Sequence, residues 1–139
     1  MNYQRLKQSL KRHEGVRDRI YKCSAGYNTI AVGHNLDTMP LSGRVIDLIL
    51  EDDIEIAIRD IKRNIMYFDD LPEEVQETLV NMCFNLGISR LLLFKNMFEA
   101  IQEEDWSRAA DEALDSKWAK QVGYRAEELA GVLRRQAHA

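Results

Sequence analysis

The sequence predicts an α+β protein that is mainly helical. Glycine (7) and proline (2) are scarce among its 139 residues, too few for the many turns of an all-β fold. Through most of the chain apolar residues recur at steps of three and four, the period of a helix that buries one face. Residues 20–32 break that period: Ile20-Tyr21-Lys22 and Tyr27-Asn28-Thr29-Ile30-Ala31-Val32 are rich in β-branched and aromatic residues, with Ser24-Ala25-Gly26 between them. That segment reads as a β-hairpin. The length fits one domain, large enough to fold without a disulfide or metal staple.

Each element has its own signal. Tyr3, Leu6, Leu10 and His13 share one face of a first helix over 2–13, and Gly15, after Glu14, is its stop. Beyond the hairpin, residues 33–43, with Pro40, read as a loop. Ile46, Leu50, Ile54, Ile58, Ile61 and Ile65 then define a helix over 43–66 with Ser42 as its N-cap. It exceeds the mean helix of about 11–12 residues and is long enough to join two lobes. Asp69-Asp70-Leu71-Pro72 opens the next helix, since acids and proline suit a first turn. Val75, Leu79, Met82 or Cys83, and Leu86 form its inner stripe, and Gly87 ends it. Three shorter helices are expected over 91–102, 105–115 and 125–136. The expected organisation is a single domain over 1–139. It has a hairpin lobe over 14–45, a connecting helix over 43–66, and a helical lobe of 67–139 together with 1–13.

Composition excludes several classes. Apolar residues make up 45% and charged residues 30%, the balance of a globular chain rather than a disordered one. The longest apolar runs, such as Leu91-Leu92-Leu93-Phe94, fall far short of the ~18 residues of a membrane span. The basic start, Met1 to Arg12, is not followed by the apolar core of a secretory signal. Two cysteines, Cys23 and Cys83, make no disulfide framework and are expected as free thiols in a reducing compartment. The net charge of −4 is unevenly spread: 7 Lys/Arg against 2 Asp/Glu over 1–22, 3 against 11 over 47–77, and 5 against 2 over 117–139. Solvated helix faces account for this, and basic ends would also suit an anionic substrate. Nucleic acid is disfavoured, because no basic stretch is interleaved with aromatics. Metal-binding and phosphate-loop motifs are absent, and His13, His34 and His138 are dispersed. Trp106 and Trp118 read as core or rim aromatics, and Cys83 as a small core hydrophobe.

One constellation stands apart. Glu14 lies where a helix ends, Cys23 at the hairpin turn and Thr29 on the returning strand. A hairpin folded back on that helix would bring all three to one surface. Their spacing resembles the Glu-x8-(Asp or Cys)-x5-Thr catalytic pattern of the phage lysozymes (endolysins) of glycoside hydrolase family 24. Glu14-Gly15, Ile20-Tyr21 and the run Gly26-Tyr27-Asn28-Thr29-Ile30-Ala31-Val32-Gly33-His34 match its surroundings. Asn81-Met82-Cys83-Phe84-Asn85-Leu86-Gly87 resembles that family's substrate-cleft helix. Trp106, Ser116-Lys117-Trp118, Gln121 and Arg125 resemble its C-terminal lobe. The resemblance covers essentially the whole chain. It departs at Ala31, where the family usually has the first glycine of Gly-x-Gly-His, and in the short 35–45 segment. The methyl of Ala31 is expected to narrow the strand surface.

The resemblance implies a lysozyme-like fold, with a small N-terminal hairpin lobe joined by a long helix to a helical C-terminal lobe. It implies hydrolysis of the β-1,4 bond between N-acetylmuramic acid and N-acetylglucosamine in peptidoglycan. Such a bond needs a proton for the leaving oxygen and a partner on the other face of the sugar. Glu14 is the implied acid, kept protonated by burial in a cleft and oriented by Arg125. Cys23 stands in place of the usual Asp. Its thiol could attack the anomeric carbon, or it could position a water together with Thr29. The second route gives Thr29 a use, but the sequence leaves both open. Phe84 and Asn85 are implied substrate contacts, core packing being an even alternative for Phe84, and Asn35 is a further sugar contact. His34 with Asp53 is implied as a structural ion pair. No cofactor or metal is implied. The implied partners are glycan strands and a separate holin, through which a monomeric protein would pass from the host cytoplasm to the periplasm and cell wall. Two other readings stay open: a wall-binding module that has lost hydrolysis, and a lytic transglycosylase that forms an anhydro sugar without water.

Overall fold

The computed structural model describes residues 1–139. It is 67% helical with one small antiparallel sheet, the expected α+β, mainly α class. The chain divides into two units, Met1–Ile49 and Leu50–Ala139, each described by itself below. The first helix falls in the first unit.

In the first unit, α1 (Tyr3–Glu14) starts at Asn2, whose side chain accepts the Arg5 N–H at 2.9 Å, and ends at Gly15, whose N–H bonds Lys11 O at 3.0 Å. Each satisfies one of the backbone groups that a helix end leaves unpaired. Three strands follow: β1 (Arg17–Lys22), β2 (Asn28–Ala31) and β3 (His34–Asn35), paired in the order β1-β2-β3. The register sets Tyr21 opposite Thr29, and Thr29 opposite Asn35. The third strand occupies the start of the expected loop, and β1 begins earlier than Ile20, with an irregular register between Arg17 and Tyr21. A two-residue strand has no periodicity of its own to read. What holds it is pairing and a turn: Asn35 Oδ1 accepts the N–H groups of Asp37 and Thr38 at 3.0 and 3.2 Å. Asp37 in turn accepts the N–H and side-chain amide of Asn28 at 2.8 and 3.2 Å, fixing the start of β2. Those two donors, with Lys22 nearby, hold the Asp37 carboxyl below the usual range against a small opposing desolvation.

Helix α2 (Gly43–Asn64) begins as expected. Ser42 Oγ accepts the Val45 N–H at 3.2 Å, and its carbonyl accepts the Ile46 N–H at 3.0 Å. The boundary between the units falls inside this helix. Its apolar stripe changes character along its length: Ile46 and Leu50 are exposed, whereas Ile61 and, just past the end, Ile65 are buried.

The core of the second unit gathers that end of α2 with α3 (Glu73–Leu86), α4 (Ile88–Leu91), α5 (Lys95–Gln102), α6 (Trp106–Leu114), α7 (Lys117–Val122) and α8 (Tyr124–Arg135). On α3, Val75, Leu79, Met82 and Cys83 are all buried, so both residues of the ambiguous pair face inward. Ala109, Ala110 and Ala113 of α6 and Ala126 and Ala130 of α8 are buried as well. Small side chains on both surfaces let two helices approach closely and pack densely.

Two expectations needed correction. The helix expected over 91–102 is interrupted at residues 92–94, where Leu93 and Phe94 donate to carbonyls only three residues back. The interruption sets Phe94 edge-on to Trp118, centroids 6.0 Å apart and planes at 83°, a favoured aromatic geometry. Helix α7 and the short 3-10 turn Phe68–Asp70 were not foreseen. At six residues α7 is too short to show periodicity, but Ser116 caps it by accepting the Ala119 N–H at 3.1 Å.

Ala31 is at φ +60. In that region an L-side chain crowds its own carbonyl, at roughly 1–2 kcal/mol. The cost of alanine there is thus backbone strain, rather than the narrowed strand surface expected from the sequence. Ala31→Gly should stabilise the protein by about 1 kcal/mol, read as a raised urea midpoint at unchanged slope. An unchanged or lower midpoint would contradict that assignment.

Candidate active site

The hairpin turn is built from Cys23 outward. The Cys23 N–H donates to Tyr27 O at 3.0 Å, and Cys23 O accepts the Gly26 N–H at 2.8 Å. The backbone N–H groups of Tyr27, Ala25 and Gly26 and the Thr29 hydroxyl surround the Cys23 thiol and favour its charged form. The thiol is therefore held below its ordinary value, chiefly by the Tyr27 N–H; desolvation opposes this, and the Ala25, Thr29 and Gly26 donors add to it. Cys23 is half-buried, while Thr29 is 3% exposed. The Thr29 hydroxyl also donates to Tyr27 O at 2.9 Å. With one proton to give, it can serve either Tyr27 O or a Cys23 thiolate, and it keeps lone pairs for a further donor such as water.

Glu14 ends α1, as the sequence required, but its side chain is exposed rather than buried. It lies against the backbone of the β2–β3 turn: a Cβ placed on Gly33 would stand 2.9 Å from Glu14 Oε2 and 3.2 Å from Cδ. Neither the three N–H donors nor the Gly33 contact was foreseen from the sequence. The only sequence signals were the glycine in Ser24-Ala25-Gly26 and the Gly33-His34 pair.

Asn35 and His34 serve the same turn. The Asn35 carbonyl oxygen is committed to Asp37 and Thr38, leaving only its NH2 group to meet a sugar. His34 Nε2 lies 3.1 Å from Met39 O, a carbonyl of its own loop. Asp53 is exposed on α2, in the second unit.

The second unit places the remaining candidates around α3. Phe84 is 45% exposed, which removes the core-packing alternative. It lines a groove of about 640 Å³ with Leu50, Ile54, Ile58, Asn81 and Arg125. The Arg125 guanidinium closes on Asn81: Nε donates to Oδ1 at 2.9 Å, and one terminal nitrogen donates to Oδ1 at 2.7 Å and to the backbone carbonyl at 3.1 Å. Asn85 Oδ1 accepts the Trp118 indole N–H at 2.9 Å. Asn81 as the holder of Arg125 was not singled out from the sequence. One feature of the helix could have found it: Asn81 and Asn85 stand four residues apart, on one face.

The profile of the family described as Phage lysozyme matches residues 11–139. The chain is 25% identical to "Probable T4-type lysozyme 1" of Dictyostelium discoideum over 157 aligned positions, covering 92% of each chain. It is 26% identical to "Probable T4-type lysozyme 2" of the same organism, covering 91% of this chain and 92% of that one. It is also 26% identical to a stretch of the "Pre-baseplate central spike protein Gp5" of Enterobacteria phage T4, where the match spans 92% of this chain and 27% of that protein.

The two thiols should separate in an alkylation experiment. Cys23 should react with iodoacetamide at a half-point below that of an ordinary thiol, and Thr29→Val should raise that half-point. Cys83 is buried, and its pKa is raised by desolvation and then by the Asp60 charge. It should stay unmodified until the protein unfolds. An ordinary half-point for Cys23 in both proteins would remove the donor cluster from the account.

Proposed function

The chain belongs to the phage lysozyme family, and from that premise we propose that it is an N-acetylmuramidase of the glycoside hydrolase family 24 type. In this reading it hydrolyses the β-1,4 bond between N-acetylmuramic acid and N-acetylglucosamine in bacterial peptidoglycan, as an endolysin in host cell lysis. The observation that carries the reading is the geometry of the first unit: a hairpin closed at Cys23, Thr29 buried on its returning strand, and the Glu14 carboxyl set against the Gly33 backbone.

Glu14 is the general acid. It gives its proton to the glycosidic oxygen as the bond to the anomeric carbon breaks, and an oxocarbenium-like centre develops on the ring. On the opposite face Cys23, stabilised as thiolate by its N–H donors, and Thr29, through a hydroxyl lone pair, hold a water. Attack by that water on the anomeric carbon, with its proton passing to the thiolate, completes an inverting hydrolysis. Phe84 offers an apolar face to a sugar ring, and the Asn85 amide hydrogens remain free to donate.

No helix is long and apolar enough to cross a membrane. We propose a separate holin as the route from the host cytoplasm to the wall, and a monomer as the working form.

Purified protein should clear a suspension of outer-membrane-permeabilised Gram-negative cells. Glu14→Gln should lose at least about 100-fold of that rate while keeping its circular dichroism spectrum. Clearing by Glu14→Gln near the parent rate would sink the acid assignment. Cys23→Asp should retain activity, because a carboxylate accepts the same N–H donors, and Cys23→Ser should lose most of it. The released fragments should carry reducing muramic acid ends. Fragments lighter by one water would make the protein a lytic transglycosylase instead.

A further inference from the structure

Two residues of the β2–β3 corner stand at positive φ, Ala31 at +60 and Gly33 at +65. One is alanine, so this corner tolerates a methyl group at positive φ and the strain that comes with it. Positive φ alone therefore does not explain the glycine at 33. Space does. Ala31 is exposed, whereas a Cβ at Gly33 would meet three atoms of one side chain: Glu14 Oε2 at 2.9 Å, Cδ at 3.2 Å and Cγ at 3.3 Å. Real Cβ atoms essentially never come within 3.0 Å of a neighbour, so Glu14 would have to move. Because Glu14 is a flexible side chain at the end of a helix, its displacement would cost the fold little.

We propose that Gly33 is a positioning residue for Glu14: the bare backbone of the β2–β3 turn is the surface against which the acid's carboxyl is held in line with the scissile oxygen. This rests on the reading of Glu14 as the general acid. A methyl at 33 pushes that carboxyl off this surface, and even a misplacement of about 1 Å can cost on the order of 100-fold in rate.

The test moves the methyl without adding strain. The double variant Ala31→Gly/Gly33→Ala keeps one alanine at positive φ in the corner and changes only whether it faces Glu14. It should melt close to the parent. Its kcat on permeabilised cell walls should fall about 10- to 100-fold with little change in KM, and the Glu14 side-chain carboxyl carbon should shift in its NMR spectrum. In a Glu14→Asp background, where the shorter side chain withdraws from position 33, the same swap should cost much less, because the two sites act through one contact. A swap variant with parent kcat and an unmoved Glu14 resonance overturns the proposal, as does an equal rate loss in both backgrounds. Should the swap not fold, Ala31→Gly/Gly33→Asn carries the Cβ in a residue that tolerates positive φ better, with the same readouts. If the parent itself has no hydrolytic activity, the muramidase reading fails separately. The carboxyl resonance then decides alone whether Gly33 sets the position of Glu14.

Discussion

The closure of the hairpin at Cys23 is the constraint on which the candidate site depends. The Cys23 N–H to Tyr27 O bond, at 3.0 Å, and the Gly26 N–H to Cys23 O bond, at 2.8 Å, fix a turn in a few residues. Once it is closed, the antiparallel register sets Tyr21 opposite Thr29 and buries Thr29 on the returning strand, where its hydroxyl donates to Tyr27 O at 2.9 Å. The five-residue interval between Cys23 and Thr29 is therefore what this turn requires: a longer or shorter loop would slip the register and send Thr29 to the other face of the sheet. The second corner, at Ala31 and Gly33, returns the chain as β3 and brings bare backbone up to Glu14. One corner thus sets the Thr29 strand beside the Cys23 turn, and the other sets Gly33 against Glu14.

The second unit solves a different problem, that of fixing long polar side chains on a helical scaffold. Asn81 and Asn85 lie four apart on α3. One takes the Arg125 fork from α8, and the other takes the indole of Trp118 from α7. A hydrogen bond to a charged group contributes about 1.5–3 kcal/mol, and leaving a buried donor unmet costs about as much. Trp118, 4% exposed, needs an acceptor for its N–H, and Asn85 supplies it. The same bonds tie the last two helices to α3 and leave Phe84, between the two asparagines, half in solvent.

Much of this was legible because the physics is local. Ser42 announces a helix start through a short side chain that bonds the backbone three residues on, and Asn2 and Asp105 cap their helices in the same way. Gly15 and Gly87 announce stops, and the stripe from Val75 to Leu86 announces a buried face. What escaped notice is either too short to show a period or made by partners distant in sequence. Strand β3 has two residues, and its evidence lies in Asn28 and Asp37. Helix α7 has six, and its role is to carry Trp118. The break at residues 92–94 sets Phe94 against an aromatic partner more than twenty residues away. At the site, the triad of residue types could be read from spacing, whereas the groups that tune and place them are backbone. N–H donors at 25–27 and the missing side chain at 33 leave almost no trace in a residue alphabet.

That difference would also let the residue at position 23 change without the site being rebuilt. The N–H groups of Ala25, Gly26 and Tyr27 belong to the turn, not to the side chain they serve. They would stabilise negative charge on a carboxylate oxygen as readily as on sulfur. An anion at this position is what the local fold selects, and either Asp or Cys can supply it. The two are not equivalent chemically: a thiolate is the softer and more nucleophilic group and is open to oxidation, whereas a carboxylate is ionised over a wider pH range. The turn's donors narrow that gap by drawing the thiol toward its charged form. A cysteine can then occupy the place of an aspartate with its neighbours unchanged, and the Glu14-to-Thr29 framework, set by helix end, hairpin closure and strand register, stays as it is.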